Sequence, residues 1–149
     1  MVPSPPDPDL FGTPLIALSN GASIMSDDYD DLPLADACSG CSSAAQLDND
    51  LAVRLDRERL AEMSCIAGVG GDVAPLVETA KSDRPVVAID GCPLECAKNC
   101  LANHDVTPDR HSQLTSEGIT KEYHTDYDED EAAALRDRLA DEVPKLDPV

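Results

Sequence analysis

The stretch from Val86 to Cys100, Val-Val-Ala-Ile-Asp-Gly-Cys-Pro-Leu-Glu-Cys-Ala-Lys-Asn-Cys, constrains this chain more than any other. It opens on apolar, mostly β-branched residues, the pattern of a buried strand. Asp90-Gly91 marks a turn, and Pro93 suits the first position of a helix. In that helix Cys92, Cys96 and Cys100 recur every fourth residue and share one face. Strand, glycine turn and helix entry together deliver thiols to the place where an open α/β sheet holds its ligand. Cys38-Ser39-Gly40-Cys41 and Cys65 repeat the outline, so these stations read as one site.

The pattern on either side sets the fold class. Leu32 to Cys38 is expected to form a first strand, although Pro33 and Asp36 fit it poorly. Ser43 and Gln46 stand in capping-box spacing, and Leu47, Leu51 and Leu55 then predict an amphipathic helix to about Arg59. Ala61 to Ile66 reads as a short strand running into Gly68-Val69-Gly70-Gly71, a tight strand-to-helix turn. That glycine run lacks both the dinucleotide fingerprint and the P-loop lysine. Asp72 is expected to cap a helix burying Val73, Leu76, Val77 and Ala80, and His111 to Leu114 to form a fourth strand. Alternating strands and helices without a hairpin signal predict an α/β fold: a small, mostly parallel sheet flanked by helices, with thiols at the C-terminal strand ends.

Residues 1–31 are rich in Pro, Ser and Asp and are expected to be a disordered extension. Met25 is a candidate for the true start of the protein. The α/β domain is then 32–125, and 126–149 an acidic C-terminal helix and tail, with Leu135, Leu139 and Val143 along the edge that docks.

Charge and cysteine content narrow the function. The chain of 149 residues carries a formal charge of −19, with 30 carboxylates against 11 Lys and Arg. No basic stripe exists to neutralise phosphates, which argues against nucleic acid and anionic membrane as partners. Acid spread over the whole chain suits a halophile's cytoplasm, where salt screens self-repulsion. Six cysteines in a chain this long fall short of a secreted disulfide scaffold. The first basic residue is Arg54, and Gly12, Pro14, Asn20 and Gly21 break the apolar segment Leu10–Ile24, so it is neither a signal peptide nor a span. The expected setting is a reducing cytoplasm, where clustered cysteines favour metal or redox chemistry.

A tetrahedral thiolate site takes four sulfurs, commonly a Cys-x-x-Cys knuckle and a second pair. Cys38 and Cys41 are the knuckle, Cys92 and Cys96 the second pair, and Cys65 a fifth candidate. Helix N-termini after Cys41 and Cys92 would offset the negative charge. Cys100 reads as core rather than ligand, His104 as a surface histidine, and His111 and His124 receive no role. Asp90 reads as a helix cap before a partner of a ligand. No His, Cys and Asp order supplies a convincing catalytic base.

The Cys38–Ser42, Cys65–Gly71 and Ile89–Cys96 motifs, with Leu114–Ile119 as a closing element, resemble the DGC family of zinc-binding proteins. That family takes its name from a motif present here as Asp90-Gly91-Cys92. The resemblance runs from about Ala37 to Lys121 and implies a set of metal-chelating cysteines, with no settled activity to carry over. Cys100 departs from its core pattern. The expected function is therefore a cytoplasmic zinc-binding protein, with an iron–sulfur, thiol-redox, or sulfur- or metal-carrier role as the alternative.

Overall fold

A computed structural model describes residues 29–147. The expected disordered extension, up to residue 28, and the candidate start at Met25 lie outside the described residues. Tyr29 itself is tied down: its hydroxyl donates to the Asp56 carbonyl at 2.9 Å, and its own carbonyl accepts from Arg84 at 2.8 Å.

The strands are β1 (Leu34–Ala37), β2 (Glu62–Met63), β3 (Val86–Asp90) and β4 (Arg110–Gln113). The helices are α1 (Ser43–Arg57), α2 (Ile66–Gly70), α3 (Ala74–Ala80), α4 (Cys96–Ala102) and α5 (Glu129–Glu142). The strands form one sheet in the order β2-β1-β3-β4, and every pairing is parallel. This is the expected α/β fold.

Residue alternation assigns the layers. Ala35, Ala37, Val87 and Ile89 face a core built with Ala44, Leu47, Leu51 and Leu55 of α1 and with Ala132, Leu135 and Leu139 of α5. Leu34, Val86 and Ala88 face the other way, toward Val69 of α2, Ala80 of α3 and Leu101 of α4. Helix α1 therefore covers one face of the sheet and α4 the opposite face. The C-terminal helix is part of the main core rather than a loose appendage.

The sequence of crossovers matters for the site. From β1 the chain passes through α1 to β2 on one side, and later returns through α2 and α3 to β3 on β1's other side. Strand order reverses between β1 and β3, and the helices that follow these two strands leave on opposite faces. At such a switch point a crevice opens beyond the carboxyl ends of the strands.

Several local expectations shift. Ser42, not Ser43, caps α1, accepting from the Ala45 amide at 3.2 Å. The Gly68–Gly71 run is not a bare turn, since Ile66–Gly70 closes a short helix. Val73 is the cap residue of α3 and stays exposed, and only Ala80 of the expected apolar set is fully buried. The largest shift concerns α4. It starts at Cys96 rather than at Pro93, so Cys92 lies in the preceding turn and only Cys96 and Cys100 share the helix. The cause is Asp90, whose carboxylate accepts from the Ala97 amide at 2.7 Å and the Lys98 amide at 3.1 Å. Those are the second and third amides of α4, among the donors a helix start leaves unpaired.

Candidate functional site

The loop after β1 carries Cys38 and Cys41, and the loop after β3 carries Cys92 and leads to Cys96. These loops leave the carboxyl ends of β1 and β3, the two sides of the switch point where open α/β sheets form a binding crevice. Cys38 continues the strand pairing, its amide donating to the Ile89 carbonyl at 3.0 Å. That fixes the Cys38 backbone beside the end of β3, from which the chain runs through Cys92 to Cys96 at the start of α4. Burial pushes the Cys38 thiol up to about 12, and the facing Asp48, Cys96 and Asp90 add to the shift.

Close packing fixes the second loop. A Cβ on Gly91 would lie 2.7 Å from the backbone carbon and oxygen of Ala44, so only glycine lets this turn rest on the first turn of α1. On the same side, residues 120–122 cross the start of α1. Ser43 and Glu122 exchange hydrogen bonds there: the Ser43 amide reaches the Glu122 carbonyl at 2.8 Å, and the Glu122 amide reaches Ser43 Oγ at 3.0 Å. That crossing sets Lys121 Nζ 3.4 Å from Cys92 Sγ. Gln46 reaches back to the Gly40 carbonyl and ties the Cys38–Cys41 loop to α1.

Three carboxylates lie buried behind the thiols. Asp90 is fully partnered, because besides the α4 amides it meets His111 Nε2 at 3.0 Å. It acts as a cap, as its position in sequence suggested. Asp36 on β1 and Asp48 on α1 are both 0% exposed, and all four of their carboxylate oxygens lack a hydrogen bond. Burial raises Asp36 to about 6; Ser64 lies close enough to lower it in part without reaching hydrogen-bond geometry. Burial raises Asp48 to about 9, with Asp90 and Cys92 adding to the rise. The amides of Gly91 and Asn49 offset part of it but meet no hydrogen-bond geometry.

The other sequence candidates are placed as follows. Cys41 is exposed beside the α1 cap. Cys65 is exposed at the end of the outer strand β2, where it lines a cavity with Met63, Leu76 and Thr79 rather than the β1–β3 crevice. Cys100 is half-buried, with its sulfur against Gly70, where a Cβ would come within 2.8 Å of it. His104 is not a free surface group: Nε2 lies 2.8 Å from the Val69 carbonyl and 3.1 Å from Asp72, joining α4 to α2.

Sequence reasoning missed Asp48, His111 and Lys121. The signal for Asp48 was present. Along α1 the buried stripe runs Ala44, Leu47, Asp48, Leu51, Ala52, Leu55, and an aspartate inside such a stripe is not a solvent-facing charge. His111 alternates with its neighbours toward the α4 face, but a four-residue edge strand gives too little pattern to show it.

The donor set was tested for a soft divalent cation such as zinc. Among the described residues, no group of three Cys, His, Asp or Glu side chains already stands in a metal-holding arrangement. The chemistry nevertheless fits. Cysteines of two loops stand after neighbouring strands, the acids buried around them are carboxylates, and Asp48 on the α1 face has no hydrogen-bonding partner. Cys38, Cys41, Cys92 and Cys96 would hold the metal, which would add to the single ammonium, Lys121, that stands by Cys92.

The DGC-domain family model matches residues 36–139. The chain belongs to the DGC-domain family. The anaerobic and virulence modulator AnvM of Pseudomonas aeruginosa is 60% identical over 106 residues, covering 71% of this chain and 81% of that protein. No solved structure matches the chain. The DGC motif itself, Asp90-Gly91-Cys92, now has a physical meaning in this member. The aspartate starts α4, the glycine admits α1, and the cysteine stands under Lys121. No helix among the described residues is long and apolar enough to cross a membrane.

Proposed function

We propose that this DGC-domain chain is a cytoplasmic zinc-binding protein that holds the metal through cysteine thiolates at the crevice between β1 and β3. One observation carries the reading: the loops on the two sides of the topological switch point, after the directly paired strands β1 and β3, each bear a cysteine pair. Ligands of open α/β sheets bind at this place, and an acidic, thiol-bearing rim suits a cation. Binding gathers thiolates from both loops around the ion, so metal uptake and ordering of the rim are one event. Cobalt titration of the reduced protein without oxygen tests it. Intense thiolate-to-cobalt charge-transfer absorption, abolished in Cys38→Ser, is the expected result; a spectrum of hydrated cobalt throughout would refute the reading.

A second reading, thiol redox or iron–sulfur chemistry, draws on the same cysteine-bearing loops and on the relative's name, anaerobic and virulence modulator. Visible absorbance in protein purified without oxygen supports it, and a colourless, zinc-loaded protein counts against it.

A further inference from the structure

The unexplained group at this rim is Asp48. It sits in the second turn of α1, 0% exposed, with neither carboxylate oxygen hydrogen-bonded. An unpaired buried carboxylate is costly to a fold, and α1 has no need of one: Ala44, Leu47, Leu51 and Leu55 already anchor it in the core. The Gly91 turn, between Asp90 and Cys92, rests on Ala44 one helical turn before Asp48, a Cβ there coming 2.7 Å from the Ala44 backbone. Cys38, Cys92 and Asp90 are the acidic groups whose charge Asp48 feels. Every charge these neighbours can carry is negative, and Asp90 is already occupied by two amides and His111.

We propose that Asp48 is an oxygen ligand of the cation at this crevice, making the centre a mixed sulfur–oxygen site rather than one of four thiolates. The inference rests on the zinc reading above and extends it to a residue outside every cysteine motif. Cys65 follows β2, the outer neighbour of β1, and lines a cavity with Met63, Leu76 and Thr79. Zinc accepts carboxylate oxygen at about 2.0–2.2 Å beside sulfur at about 2.3 Å, so the donor types are compatible. A carboxylate ligand also explains why the helix tolerates an acid in its apolar stripe: the metal, not the fold, is its partner.

The test is zinc affinity of the full, reduced chain by competition with a chromophoric chelator, together with thermal melting of the metal-free protein. The variants are Asp48→Asn, which keeps the shape, and Asp48→Leu, which removes all polar atoms. The expected result is at least tenfold weaker zinc binding in both, while the metal-free variants melt at the same temperature as the parent or higher. Zinc affinity within twofold of the parent overturns the role of Asp48 and leaves the zinc reading intact. Metal-free variants that both melt lower make Asp48 a structural residue and also overturn the inference. Parent protein that takes up no zinc removes the zinc reading, and this inference with it.

Discussion

Lys121 Nζ lies 3.4 Å from Cys92 Sγ, setting an ammonium beside a thiol of the DGC motif. Lys121 also stands 5.3 Å over the Tyr123 ring, which steadies it there. A metal centre with several thiolates carries excess negative charge, and donors to sulfur stabilise it. Lys121→Gln should therefore weaken zinc binding by about tenfold, read by chelator competition, and leave the melting of the metal-free protein unchanged. Equal affinity in the variant would show that Lys121 plays no part.

Gly91 is the tightest point of the rim. A methyl group there meets the Ala44 backbone at 2.7 Å, and backbone at a helix start cannot swing aside as a side chain can. Gly91→Ala should destabilise the fold by about 1–3 kcal/mol, the usual cost of overpacking, in urea unfolding. A stability equal to the parent's would contradict the packing described.

Asp90 holds the start of α4 through the Ala97 and Lys98 amides and is 1% exposed. An asparagine has one acceptor oxygen to offer where the carboxylate has two. Asp90→Asn should cost about 1–2 kcal/mol, and hydrogen exchange at the Ala97 and Lys98 amides should rise. Unchanged exchange would mean that another group sets the start of the helix.

The buried acids make a pH prediction for the metal-free protein. Asp36 and Asp48 have pKa values raised in the folded state, to about 6 and about 9, by burial first. A raised folded pKa means the native state binds more protons than the unfolded state at intermediate pH. The associated stability is fully present below the unfolded value near 4 and is lost as pH rises through the folded value. Metal-free protein should lose stability between pH 4 and about 6 through Asp36, and on to about 9 through Asp48. Asp36→Asn should flatten the lower part of the curve and Asp48→Asn the upper part, measured by urea midpoints. A stability that climbs steadily over this range, with both variants tracking the parent, would contradict the assignment.

Much of this architecture was legible in the residues, and the gaps have physical reasons. Val86–Ile89 and the Leu47, Leu51, Leu55 stripe declared a buried strand and its covering helix, because burial on one face leaves a period that sequence preserves. Docking of α5 was likewise visible in Leu135, Leu139 and Val143. The start of α4 was not, because it depends on a side chain six residues upstream, and Pro93 offered a plausible local start instead. Strand β2 shrinks to Glu62–Met63 because the chain turns into α2 at once. Which of the cysteines stand after neighbouring strands depends on strand order, which no spacing encodes. Cys65 matched the pattern yet follows the outer strand. Residue type alone hides Asp36 and Asp48, because an isolated charge is normally solvated; only the α1 stripe marks Asp48.

Zinc content tests the central claim most directly. Protein purified without oxygen and analysed for metal should contain one zinc per chain, and Cys38→Ser and Cys92→Ser, folded by circular dichroism, should each lose it. Parent protein free of zinc and unable to take it up, or full zinc retained in both variants, would contradict a thiolate centre spanning the β1 and β3 loops.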